Sequence, residues 1–122
     1  MIRGVFFENI PLIQIVLAWG QSVQTPFVIL DTGFTGDLQV TPKIAQELGL
    51  EITGATRVQV ANGDTAEVPV ALAIGSMEGR TNYLQVLISE SMPLAGINFL
   101  SKFSYKAIFD CKRKNLVLRR QI

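Results

Sequence analysis

A chain of 122 residues with 48 % apolar and 17 % charged residues is long enough to bury one core and too hydrophobic to stay disordered. Its net charge of +1 and short basic clusters argue against a nucleic-acid surface, and the lack of histidine removes Ser-His-Asp and Cys-His nucleophiles and histidine-based zinc sites. One cysteine, Cys111, permits no internal disulfide and no thiolate metal site, so acid–base chemistry falls to carboxylates and a reducing, cytoplasmic setting is expected.

Gly4-Val5-Phe6-Phe7 is interrupted by Glu8 and Asn9. The next apolar run, Ile10 to Trp19, contains Pro11 and Gln14 and is too short to cross a bilayer, so it reads as strand rather than leader or membrane span. Within it Ile13–Leu17 is largely apolar and β-branched, Gly20-Gln21-Ser22 is turn-like, and Thr25–Leu30 is the return strand. Asp31-Thr32-Gly33 ends that strand, and Leu38–Thr41 follows as another short one. Thr41 as N-cap, Pro42 in the first turn and Gly49 as C-cap bracket a helix with Ile44, Ala45 and Leu48 on one face.

Two alternating runs, Arg57–Val60 and Thr65–Val70, flank Ala61-Asn62-Gly63-Asp64, and Asn-Gly between such runs is a strong hairpin signal. The second run continues to Gly75, Gly79–Asn82 is expected to turn the chain, and Tyr83–Ile88 returns. Pro93-Leu94-Ala95-Gly96 precedes a short helix within Ile97–Phe103. Ala107–Asp110 and Asn115–Leu118 are strands around the solvated turn Lys112-Arg113-Lys114. Cys111 is expected to be a small buried residue, and Asp37, Asp64 and Asp110 turn or strand-end acids without an inferable partner. With no linker or repeat, residues 1–122 read as one mostly-β domain, a closed or partly closed barrel with one or two short helices.

Asp31 is the most informative residue. Phe27-Val28-Ile29-Leu30 is an apolar run suited to burial, and a carboxylate at the tip of a buried strand is costly unless it is used. A capping aspartate is the plain alternative from residue statistics.

The ordered set of Leu30-Asp31-Thr32-Gly33, a short strand, the Asn62-Gly63 hairpin, Leu94-Ala95-Gly96 with Asn98 and Leu100 behind it, and a last strand pair resembles the retropepsin-like aspartic proteases over nearly the whole chain. The string Asp31-Thr32-Gly33-Phe34-Thr35-Gly36 looks closest to a bacterial and archaeal branch with phenylalanine after the triplet. The resemblance implies an acid-protease β-barrel and a homodimeric endopeptidase that needs no metal or cofactor. Each copy supplies Asp31, because two carboxylates about 3 Å apart share one proton, one serving as base on water and the other as acid toward the peptide carbonyl. It further implies that Thr32 hydrogen-bonds across the dimer and that Gly33 admits the substrate backbone. Phe34, Ala61, Asn62, Gly63 and Asp64 would then contact an extended peptide, the last four as a flap.

This sequence departs from the retroviral pattern at Phe34, where alanine or serine is usual, and at Thr35 and Ile97, where many of those enzymes carry a paired acid and arginine. Leu116, Leu118 and Ile122 are then expected as dimer contacts. The alternative function is a weakly active or inactive module of the same fold that dimerises or binds peptides.

Overall fold

The computed structural model describes residues 1–59 and 62–122. In chain order the elements are β1 (Ile2–Phe7), β2 (Ile10–Gln14), β3 (Val16–Trp19), β4 (Ser22–Gln24), β5 (Phe27–Leu30) and β6 (Leu38–Val40). Then come α1 (Pro42–Leu48), β7 (Ile52–Gln59), β8 (Thr65–Met77), β9 (Arg80–Ile88), β10 (Leu94–Ala95), α2 (Ile97–Lys102), β11 (Tyr105–Asp110) and β12 (Asn115–Arg120). The strands form one sheet in the order β11-β12-β1-β2-β5-β10-β6-β9-β8-β3-β4, with β7 paired to β8. The mostly-β expectation holds, and the sheet curls without closing into a ring.

Burial alternates along the first half of the chain, with Ile13, Ile15 and Leu17 buried and Gln14 and Val16 exposed. That period runs unbroken through a change of partner. β2 pairs with β5, whereas β3 pairs with β4 and β8. Ile15 sits at the switch and donates its N–H to the Pro26 carbonyl at 3.1 Å. What reads as one strand is therefore two. The return strand expected over Thr25–Leu30 begins only at Phe27, after Pro26, which has no N–H to give the ladder.

Glu8 and Asn9 do not interrupt the N-terminal run but turn it: Phe7 pairs with Ile10, and Glu8 takes φ 55°. The turn expected at Gly79–Asn82 lies earlier, at Glu78-Gly79. Both residues have positive φ, and Met77 pairs directly with Arg80. A two-residue loop of this kind matches the right-handed twist of its strands.

α1 forms as its caps dictate. Thr41 Oγ1 accepts the Ile44 N–H at 3.3 Å, and Gly49 closes the helix at φ 72°. Thr41→Ala should cost about 1 kcal/mol in urea unfolding, the usual worth of such a cap, and an unchanged midpoint would refute this role.

The core gathers Ile13, Leu17, Val28, Leu38, Leu84, Phe99, Phe103, Leu116 and Leu118. Leu116 and Leu118 thus face this chain's own interior, and of the three expected dimer contacts only Ile122 is exposed. Alternation along β12 decides it, since the two leucines share the face turned to the core. Cys111 is exposed rather than buried, because it stands in the β11–β12 turn. Tyr105 is buried at the start of β11 and donates to Glu78 at 2.7 Å. Burial, and then that bond, push its phenol above the ordinary range, while the terminal amine and Tyr105 hold Glu78 low. No helix of the described residues is long and apolar enough to cross a membrane.

Candidate functional site

Asp31 is the first residue beyond β5, whose Val28 and Leu30 are buried. Two backbone strands hold the loop that follows. β10 runs parallel to β5, pairing Ala95 with Leu30, and antiparallel to β6, pairing Ala95 with Leu38. The Asp31 N–H donates to the Ala95 carbonyl at 2.9 Å, so the end of β5 is clamped where the carboxylate projects. Asp31 Oδ1 accepts the Gly33 N–H at 2.9 Å, and the Phe34 N–H returns to the Asp31 carbonyl at 3.1 Å. The side chain is thereby oriented by its own loop.

The N-terminus of α2 supports the same loop from behind. Ile97 N–H donates to the Phe34 carbonyl at 2.9 Å, Asn98 N–H to Gly36 at 3.2 Å and Gly96 N–H to Asp37 at 3.1 Å. Helix donors that normally lack partners are spent on the carbonyls of residues 34–37. Gly96 is required for this approach. A Cβ there would press into the carbonyl oxygens of Phe34 and Gly36, although its φ of −109° suits any residue. Gly96→Ala should therefore lose roughly 3 kcal/mol by overpacking alone, and a urea midpoint close to wild type would contradict the clamp.

Asp37 anchors the assembly, and sequence reading missed it. It stands at the strand end just before β6, as expected of such an acid, but it is only 5 % exposed and has partners. Its Oδ1 accepts from Asn98 Nδ2 at 2.5 Å, and its Oδ2 from Lys102 Nζ at 2.7 Å and the Gln85 N–H at 2.8 Å. One carboxylate therefore ties the loop to β9 and to α2. The available signal was the four-residue spacing of Asn98 and Lys102, which puts both on one helix face.

A cleft of about 350 Å³ opens beside Asp31. Asp31, Gly33 and Phe34 line it together with Val58, Gln59, Ala66 and Val68 of the β7–β8 stem. Phe34 packs its ring on Gly36 and Gly96, within 3 Å of where a Cβ would stand at either, and so borders the cleft without filling it. Gln39, Leu87, Ser89 and Ser91 complete the lining, residues to which no sequence signal pointed. Thr32 is exposed in the turn that follows Asp31. Asn62, Gly63 and Asp64 lie at the hairpin tip, where Asn62 Oδ1 accepts the Asp64 N–H at 3.0 Å and Gly63 takes φ 88°. Among the described residues, Asn62, Gly63 and Asp64 do not line the cleft, whereas the stem does. Ala61 falls outside the described residues.

No family model and no curated protein matches the sequence. Solved structures match the fold. EIAV protease complexed with the inhibitor HBY-793 superposes with a TM-score of 0.66 at 17 % identity, covering 84 % of this chain and 96 % of that one. A retropepsin-like aspartic protease from Rickettsia conorii gives 0.62 at 17 % identity, covering 98 % and 89 %. The chain has a retropepsin-like fold.

Proposed function

We propose that two copies of this chain form an aspartic endopeptidase in which the paired Asp31 carboxylates activate a water against a peptide carbonyl. The observation that carries the reading is the placement of Asp31: a clamped strand end, oriented by Gly33, opening on a cleft walled by a β-hairpin. One copy presents a single carboxylate there, and general acid–base hydrolysis needs a base for the water and an acid for the carbonyl. A two-fold pair supplies both by setting equivalent residues face to face.

Each residue then has a part. Asp31 holds or accepts the proton, and Thr32, exposed in the turn that follows it, reaches across the two-fold axis. Gly33 leaves room for the peptide backbone. Phe34 is a wall of the side-chain pocket. The hairpin lies along an extended peptide, with Ala61, Asn62, Gly63 and Asp64 in the role of the flap that closes over it. The hydrolysis uses only water and these carboxylates.

Cleavage of a peptide library over a range of acidic to neutral pH tests the reading. Turnover per chain should fall on dilution, because a lone copy holds half a site. Activity independent of concentration down to a demonstrated monomer would overturn it. Absence of cleavage at every pH, with peptides still bound in the cleft, would favour the binding module.

A further inference from the structure

One corner of the cleft beside Asp31 holds polar atoms that are fixed in place and still have a bond to give. Gln39 stands in β6, paired with Leu94 of β10 and Leu87 of β9, so the ladders on both sides set where its side chain leaves the sheet. Its Nε2 donates to the Met92 carbonyl at 3.2 Å. A carbonyl only accepts, so the amide nitrogen is the end that meets it. Oε1 is then the free end of that amide, with no donor among the described residues.

Ser89 and Ser91 line the same cleft. Ser89 Oγ accepts the Ser91 N–H at 3.3 Å and donates to Ser91 Oγ at 3.4 Å. The Ser91 oxygen is thereby used as an acceptor, and its hydroxyl keeps its own proton to donate. Gln39 and Ser91 together offer one acceptor and one donor, each braced by a second bond.

The rest of the lining narrows what can meet them. Asp31 is the one charged residue of the lining among the described residues, and Phe34, Val58, Val68 and Leu87 are apolar. A charged side chain entering along these walls gives up water that the neutral corner does not replace, and a neutral side chain gives up far less. An aliphatic one leaves Gln39 Oε1 and the Ser91 hydroxyl dry and unpaired. A carboxamide satisfies both, its NH₂ donating to Gln39 Oε1 and its carbonyl accepting from Ser91. The cleft, about 350 Å³, is near the lower end of ligand pockets, so one short stretch of peptide spans the corner and Asp31.

We propose that Gln39 and Ser91 form a carboxamide subsite, which selects peptides carrying Gln or Asn close to the scissile bond. The subsite rests on the reading of this cleft as the peptide site. A two-fold pair presents the corner twice, so the preference falls on both sides of the cleaved bond.

Calorimetry on the Asp31→Asn chain, which leaves peptides whole, tests it with alanine-leucine octapeptides carrying Gln, Glu, Lys or Leu at each position in turn. At one position, or at two placed symmetrically, Gln should bind roughly tenfold tighter than the other three, as two net hydrogen bonds provide. Adding Gln39→Leu should cut that advantage below about twofold. Adding Gln39→Glu instead should move the preference to Lys, a gain that no misfolded variant would show. Octapeptides bound with no preference for Gln, or a Gln preference that survives Gln39→Leu, would overturn the subsite alone. Failure of every octapeptide to bind would overturn the peptide site and the subsite with it. Gln-selective binding by a protein whose wild type cleaves nothing supports the subsite and removes the peptidase reading. Wild-type cleavage at bonds with no carboxamide nearby does the opposite.

Discussion

Asp31→Asn should abolish peptide cleavage while leaving the fold intact. General acid–base groups contribute roughly 10²–10⁴-fold to rate, and in a two-fold pair one substitution removes the same carboxylate from both halves. A loss near the upper end, about 10⁴-fold, is expected. The amide oxygen of asparagine can still accept the Gly33 N–H that Asp31 Oδ1 now accepts at 2.9 Å. The loop therefore keeps its internal bond, and unfolding should shift by no more than about 0.5 kcal/mol. Mixing is a sharper measurement. Adding the variant to wild type should lower activity further than buffer does, because mixed pairs carry one carboxylate. Cleavage that survives the substitution would refute the role of Asp31.

Asp37→Ala should produce the largest stability loss of any single polar substitution near the site. It leaves the Gln85 N–H and the Asn98 amide without an acceptor and the Lys102 ammonium without its partner. Removing one side of a buried ion pair costs about 3–5 kcal/mol. The Lys102 side chain is 34 % exposed, so water screens part of this, and roughly 2–4 kcal/mol is expected. Lys102→Met should cost less, since the carboxylate keeps two N–H donors and the lysine already reaches solvent. The measurement is urea unfolding of both variants. Asp37→Ala within about 0.5 kcal/mol of wild type, or Lys102→Met the worse of the two, would show that the carboxylate does not anchor the loop.

This carboxylate also bears on the departures at Thr35 and Ile97. The positions that hold a paired acid and arginine in many retroviral enzymes are neutral here. The charge pair of these segments is Asp37 with Lys102, joined by Asn98. It fastens the loop within one chain, and the Ile97 side chain is exposed.

Features legible in the sequence were those decided within a few residues. The helix α1 could be bounded because Thr41, Pro42 and Gly49 each act on the adjacent turn. The β7–β8 hairpin could be placed because Asn62-Gly63 supplies the positive φ at Gly63 that a tight turn needs. Asp31 could be singled out because a charge ending an apolar run is unusual wherever it occurs. Tertiary structure decided the rest, because it depends on which strand lies alongside. The division of Ile13–Leu17 at Ile15 leaves the alternation intact, so only a change of partner reveals it. Leu116 and Leu118 were apolar on any reading, but which surface they cover follows from how β12 lies on β1. Asp37 reads as one more loop acid until three donors, from Gln85, Asn98 and Lys102, converge on it across 48 to 65 residues of chain. A side chain's burial and partners are properties of the packed whole, and no local pattern carries them.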